Sequence, residues 1–226
     1  MVKLLIKKIL NENLVLEFLD QLIDEDYPSN FDLDKFKSLK SFNQRIQYCQ
    51  ENLKRISSGS SRIVYLIDDT KVLKLAKNKK GIAQNEIEAS YSRYNDLNDI
   101  LAQTFEFDED NYLWVEMELA RKVTPNIFKQ VTGYSFENYC DLLSIYNDAV
   151  NPSRYTHSHR LPEDFIQASW EDEFMYSVYQ YLGNYDVPVG DLLRLSSYGL
   201  VKRNGADTIV LIDYGVDKET MASYYS

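Results

Sequence analysis

A handful of residues in this chain have both the type and the setting to handle a phosphate or a metal ion. Ser57-Ser58-Gly59-Ser60-Ser61 places one glycine among serines ahead of a strand. That composition either wraps an anion in backbone N–H groups or makes a serine-rich turn. Lys74 lies mid-strand with Val72 and Ala76 two residues to either side, so it shares their face and is either an edge-strand charge or a phosphate ligand. Glu86, in the helical stretch that follows, is its ion-pair partner or one more solvated carboxylate. Further on, the buried strand Ile209-Val210-Leu211-Ile212 releases Asp213-Tyr214-Gly215, where a glycine lets the chain turn. A carboxylate aimed from a strand end in this way suits Mg²⁺, although the tripeptide alone also makes an ordinary turn. Upstream, Val189-Gly190-Asp191 precedes the hairpin that delivers Asp213, which could bring two carboxylates into one cleft.

The elements that must position these groups are visible in the periodicity. The first 55 residues read as helical, with one stripe at Val15, Phe18, Leu19, Leu22 and Ile23. After a break at Tyr27-Pro28-Ser29-Asn30 a second stripe runs Phe36, Leu39, Phe42, Ile46, Cys49, Leu53. The period then shortens. Arg62 to Asp68 and Lys71 to Lys77 are β-rich runs joined by a tight turn, and a helix is expected from Ile82 to about Leu101, with Ala83, Ile87, Tyr91 and Tyr94 along one side. Thr104 to Phe107 and Leu113 to Leu119 read as two more strands. From Pro125 to Tyr185 the pattern is helical in three pieces around a polar loop at residues 151 to 162, with a stripe at Trp170, Phe174, Val178, Tyr181 and Leu182. A final hairpin, Tyr198 to Asp213, turns at Asn204-Gly205, a pair that tolerates positive φ. The expected class is therefore α+β: a helical extension over residues 1–55, a β-rich lobe over 56–120 and a mostly helical lobe over 121–226.

Composition narrows the function classes. The 226 residues are 44% hydrophobic and carry 35 acidic against 25 basic side chains, a net charge of −10. The length suffices for a hydrophobic core without disulfides or structural zinc, and Cys49 and Cys140 show no metal-ligand spacing. Neither a cleavable signal nor an apolar run of membrane-spanning length is present, so no membrane role is expected. The acidic balance disfavours nucleic acid, whose binding runs on neutralisation of phosphates by Lys and Arg. Five lysines between residues 71 and 80 form the one concentrated basic segment, read as a solvated strand edge or as phosphate steering. His157 and His159, in a polar loop, read as surface residues. Eighteen tyrosines suit interfaces without locating one, and the closing Tyr224-Tyr225 reads as a tail docked on the body.

Taken in order, these elements resemble the protein-kinase-like superfamily, in particular its small-molecule and atypical kinases. The matching residues are Gly59-Ser60-Ser61-Arg62-Ile63-Val64 for the glycine loop, Val72-Leu73-Lys74 for the strand lysine, Glu86 for the helix glutamate, Leu113 to Ala120 for the strand entering the hinge, Gly190-Asp191-Leu192 for the catalytic loop, and Asp213-Tyr214-Gly215 for the metal-binding motif. The resemblance implies a two-lobe fold with ATP and Mg²⁺ as cofactors. It implies that Lys74 holds the α- and β-phosphates and pairs with Glu86, that Asp191 orients or deprotonates the acceptor hydroxyl, and that Asp213 binds Mg²⁺. Ser196 stands where the family has a metal-binding Asn, and Ser57 and Arg62 stand at the partner positions of Gly59. The chain stops eleven residues after Gly215, so a peptide acceptor is not expected. Two readings follow: an ATP·Mg-dependent phosphotransferase acting on a non-peptide acceptor, or a catalytically inactive pseudokinase-like protein that binds a protein partner. A plain α+β interaction domain is the third. Stretches such as Lys74 to Gln84 and Leu119 to Pro125 also resemble kinase-like proteins of tailed bacteriophages, which implies a bacterial host cytoplasm or a virion.

Overall fold

The computed structural model describes residues 27–94, 97–150, 161–185, 187–217 and Ser223. The stripe from Val15 to Ile23, the two histidines and the Tyr224-Tyr225 tail lie outside them. The expected α+β class with a small antiparallel sheet and a helical second lobe is what is found.

The second N-terminal stripe folds as two helices, α1 (Leu33–Ser38) and α2 (Phe42–Asn52), rather than one. Local capping breaks it. Asp32 caps α1 by accepting from the Lys35 backbone N–H, and Ser41 and Gln44 form a reciprocal capping box at the start of α2. A five-stranded antiparallel sheet follows, built from β1 (Lys54–Ser58), β2 (Arg62–Leu66), β3 (Lys71–Ala76), β4 (Thr104–Phe107) and β5 (Trp114–Glu118) in the order β1-β2-β3-β5-β4. Strand β1 falls where helix and turn were expected. It is exposed along its whole length and owes its conformation to edge pairing with β2. Its sequence, KRISS, carries no apolar alternation to announce it.

Strand β3 is central, which removes the edge-charge reading of Lys74. Both its faces are covered. Leu73 and Leu75 pack with Tyr65, Trp114, Phe36, Tyr48 and Cys49 beneath α1 and α2, so the helical segment from Phe31 to Leu53 shares one core with the sheet. Val72, Lys74 and Ala76 face the other way, toward α3 (Lys79–Tyr91). That helix is capped by Asn78 and ends ten residues short of the expected Leu101. The apolar Leu97, Ile100 and Leu101 beyond it enter the second core as turns, because Leu101 must lie beside Leu211 in a parallel bridge.

The second lobe comprises β6 (Arg121–Lys122), α4 (Pro125–Thr132), α5 (Phe136–Val150), α6 (Glu163–Ser169), α7 (Glu173–Asn184), the short α8 (Val189–Leu192), β7 (Tyr198–Arg203) and β8 (Ala206–Leu211). Phe128, Tyr139, Leu143, Met175, Tyr181 and Tyr198 form its core. Trp170, expected in the α7 stripe, instead closes α6, and its half-exposed ring packs on Tyr179 with centroids 4.4 Å apart. The β7–β8 hairpin turns at Asn204 (φ 52°) and Gly205 (φ 82°), as the sequence predicts. It pairs with β6 and so returns Asp213 to the junction of the lobes. Among the described residues no helix is long and apolar enough to cross a membrane.

Candidate functional site

Between the lobes lies a cleft of about 430 Å³. The β1–β2 turn roofs it, Val64, Val72 and Met117 supply an apolar wall, and Ser196, Ile212 and Asp213 form its floor. A mostly apolar cavity of this size with a few converging polar groups is the usual form of a small-molecule site.

Lys74 is the pivot. Its ammonium is buried, 2.9 Å from Glu88 Oε1, and donates to the carbonyl of Ile212 at 2.6 Å. Burial pushes its pKa down, while the Glu88 carboxylate opposes that shift. Glu88 is fully buried and also meets a second cation, Arg62, whose Nη1 stands 2.7 Å from Glu88 Oε2. The same guanidinium reaches Asn85 Oδ1 at 3.4 Å and Asp213 Oδ1 at 2.8 Å. Four charges, Arg62, Lys74, Glu88 and Asp213, thus form one network spanning both lobes.

The partner of Lys74 is therefore Glu88 and not Glu86, which is exposed on the opposite side of α3. The helix period explains the correction. Gln84, Ile87, Glu88 and Tyr91 recur at the i, i+3, i+4, i+7 spacing of a buried face, and Glu86 falls off it. That stripe was present in the sequence, but the stripe Ala83, Ile87, Tyr91, Tyr94 hid it. In the sequence Arg62 reads only as a departure at a glycine position, and nothing in a single sequence announces that its side chain folds back into the cleft.

Gly59 is exposed in the β1–β2 turn and lines the cleft. Its N–H donates to the Arg62 carbonyl at 2.9 Å, and its carbonyl accepts from Lys77 Nζ at 2.8 Å. Asn78 Nδ2 donates to Ser60 O at 3.2 Å, and Ser61 Oγ to Gln84 Oε1 at 2.5 Å, so the turn is tied to the start of α3. Two residues of the lysine-rich segment, Lys74 and Lys77, thus serve the site's structure rather than a solvated edge.

Asp213 lies just past β8 with its side chain 61% exposed, and Ser196 is exposed across from the roof. Asp191 sits on α8, outside the cleft lining, with Arg194 Nη1 3.5 Å away. Burial raises its pKa, Arg194 lowers it, and the charge of Asp213 raises it further. Tyr214 turns inward. Its hydroxyl donates to Ala102 O at 2.8 Å, its ring stacks on Tyr91, and Lys74 Nζ stands 5.9 Å from the ring centre. Gly215 is required for a different reason than expected. Its φ is not positive; instead a Cβ there would come within 2.6 Å of the Gln84 carbonyl oxygen.

The donor set does not fit a divalent cation. Both carboxylates that line the cleft are already held by guanidinium groups, Asp213 by Arg62 and Glu118 by Arg203 at 2.7 Å, and Ser196 offers a neutral hydroxyl. Mg²⁺ is held by one or two carboxylates together with substrate phosphates and waters, and here each lining carboxylate is shared with a guanidinium.

A larger, open groove of about 1040 Å³ lies on the first lobe between the α1–α2 link and the β4–β5 turn, lined in part by Lys37, Arg45, Asp108 and Trp114. None of the candidate site residues Gly59, Lys74, Glu86, Asp191, Ser196 and Asp213 lines it.

No protein-family model matches this chain, and no curated protein matches it. Solved structures similar to it include aminoglycoside phosphotransferase APH(2'')-Ib with ADP (15% identity, 77% of this chain and 69% of that one, TM-score 0.37). The GDP complex of wild-type aminoglycoside 2'-phosphotransferase-IIIa is also similar (11%, 78% and 73%, TM-score 0.36). So is the streptomycin–ATP ternary complex of APH(2'')-IIa (18%, 79% and 72%, TM-score 0.32). At such identities and scores no residue role is carried across, and the site is read from its own geometry.

Proposed function

We propose that the inter-lobe cleft binds a nucleoside di- or triphosphate and that the protein is a kinase-like nucleotide-binding protein. The observation that carries this reading is the Lys74 ammonium, buried against Glu88 yet opening on a cleft whose other cations are Arg62 and Arg194. In a chain of net charge −10, a cleft lined by Arg62, Lys74 and Arg194 against Glu118 and Asp213 is a local reversal of sign. Phosphate groups are the anions such a site recognises through charge-assisted hydrogen bonds. The apolar wall of Val64, Val72 and Met117 suits a base.

Phosphoryl transfer to a small, non-peptide acceptor is the stronger form of the proposal. Asp191 is then the group that takes the acceptor's proton, since burial raises its affinity for one. A specific observation favours the other reading, nucleotide binding without transfer in a protein that works through a protein partner: Arg62 occupies the carboxylate that transfer would need. The two readings separate in a transfer assay with labelled ATP and small hydroxylic acceptors.

Thermal unfolding with and without ATP tests the shared premise. Ligand at 100 times its Kd stabilises the native state by about 2.7 kcal/mol, which for a chain of this size raises Tm by about 5–11 °C. The rise is expected in the wild type and is lost in Lys74→Met. An unchanged Tm in the wild type at saturating ATP, ADP and GTP would remove the proposal.

A further inference from the structure

We propose that Arg62 takes the place of a divalent cation in this site, so that the protein binds nucleoside phosphates without metal. This inference rests on the nucleotide reading above and goes beyond it by fixing what neutralises the phosphates.

The placement of Arg62 carries it. The residue opens β2 immediately after the β1–β2 turn, and its side chain runs along the cleft face shared with Val64. Its side chain is only 9% exposed, held by Glu88 at 2.7 Å and Asn85 at 3.4 Å from the protein side and by the more exposed Asp213 at 2.8 Å from the solvent side. Glu88 divides its oxygens between Lys74 and Arg62 and so clamps two cations side by side. A guanidinium does not lose its charge at any pH a protein survives, and its planar donors match phosphate oxygens in pairs. Lys74 supplies the adjacent point charge.

The same placement works against a metal. A divalent cation on Asp213 would share that carboxylate with a fixed positive charge, and like charges at contact distance repel strongly in a partly buried site. To bind there it would have to displace Arg62 from Asp213, and the neighbouring lining residues on that side, Ser196 and Arg194, add a neutral hydroxyl and a further positive charge. Glu118, the other lining carboxylate, is already committed to Arg203.

The test is titration of the full chain with a fluorescent ATP analogue, once with excess EDTA and once with saturating Mg²⁺. The wild type is expected to bind with Kd values within about threefold of each other. Arg62→Met is expected to weaken binding in EDTA by at least about tenfold and to recover part of it with Mg²⁺, because the freed Asp213 can then take the ion. Arg62→Lys keeps a charge there and should remain largely indifferent to metal. Asp213→Asn alters an exposed carboxylate and so keeps the fold even if Arg62→Met does not. Its Kd values in EDTA and in Mg²⁺ are expected to stay within about threefold of each other, because Glu88 and Asn85 still hold Arg62. Wild-type binding that needs Mg²⁺, or the same indifference to metal in Arg62→Met as in the wild type, would overturn the inference while leaving the nucleotide reading intact. Absence of binding under both conditions would overturn both.

Discussion

Replacing Glu88 by Gln removes one negative charge from the only buried position where two cations converge among the described cleft residues, and the structure sets the size of the effect. Lys74 and Arg62, with side chains 7% and 9% exposed, both contact this carboxylate, whose own side chain is fully buried. Breaking a buried ion pair by removing one partner costs about 3–5 kcal/mol, because the remaining charge stays buried and uncompensated. For a domain of this size that is a fall in Tm of about 6–20 °C. Arg62 keeps the charge of Asp213, but Lys74 keeps only neutral acceptors, the Ile212 carbonyl and the new amide oxygen. The penalty therefore falls mainly on the lysine, whose pKa burial already lowers. Without Glu88 to oppose that shift, the folded-state pKa of Lys74 drops further below its unfolded value. The unfolded chain then binds more protons in that window, and stability of the variant rises with pH there. Urea denaturation of wild type, Glu88→Gln and Glu86→Gln at neutral pH and near pH 10 measures all of this. Glu88→Gln should show the large loss, narrowing toward high pH, and Glu86→Gln should lie within about 0.5 kcal/mol of wild type. Equal effects at the two positions, or a larger one at Glu86, would refute the assignment.

Other outcomes follow from neighbouring geometry. Gly215→Ala brings a methyl against the Gln84 carbonyl and should cost about 1–3 kcal/mol, whereas Gly190→Ala, with nothing within 4 Å of the new methyl, should be neutral or gain up to about 1 kcal/mol; denaturation midpoints separate them. Tyr214→Phe strips the donor from the Ala102 carbonyl and should lose about 1–2 kcal/mol in the same assay. Asp191 has a raised folded-state pKa, so its contribution to stability is present at pH below the ordinary carboxylate value and is lost as pH rises through the folded one. Asp191→Asn should accordingly be more stable than wild type at pH 7, with the gain shrinking toward pH 4; Tm measured across that range would contradict this if the gain grew on acidification.

The parts of the fold that were legible in the sequence are those where one local signal decides. The β2–β3 hairpin alternates strongly and turns on Asp68, which accepts from the Thr70 and Lys71 backbone N–H groups. Asn204-Gly205 names its own turn. Strand β1 was not legible because pairing, not its composition, makes it a strand. The end of α3 was misplaced because Leu97, Ile100 and Leu101 keep helical spacing while the chain leaves the helix at Tyr91 to meet Leu211. In the site, Gly59, Lys74, Ser196 and Asp213 line one cleft and Asp191 stands beside it, which a motif order can suggest. The choice of Glu88 over Glu86 needed the correct helical face. The reach of Arg62 across to Asp213 joins residues 151 positions apart, and only the three-dimensional packing reveals it.

The most direct measurement is amide hydrogen exchange of the full chain with and without ADP, read by peptide. Slowed exchange is expected only in the β1–β2 turn, Ile56 to Arg62, and in the strand end from Ile212 to Val216, with the open groove at Phe105 to Asn111 unchanged. Protection centred on that groove, or no protection at saturating nucleotide, would contradict the proposal.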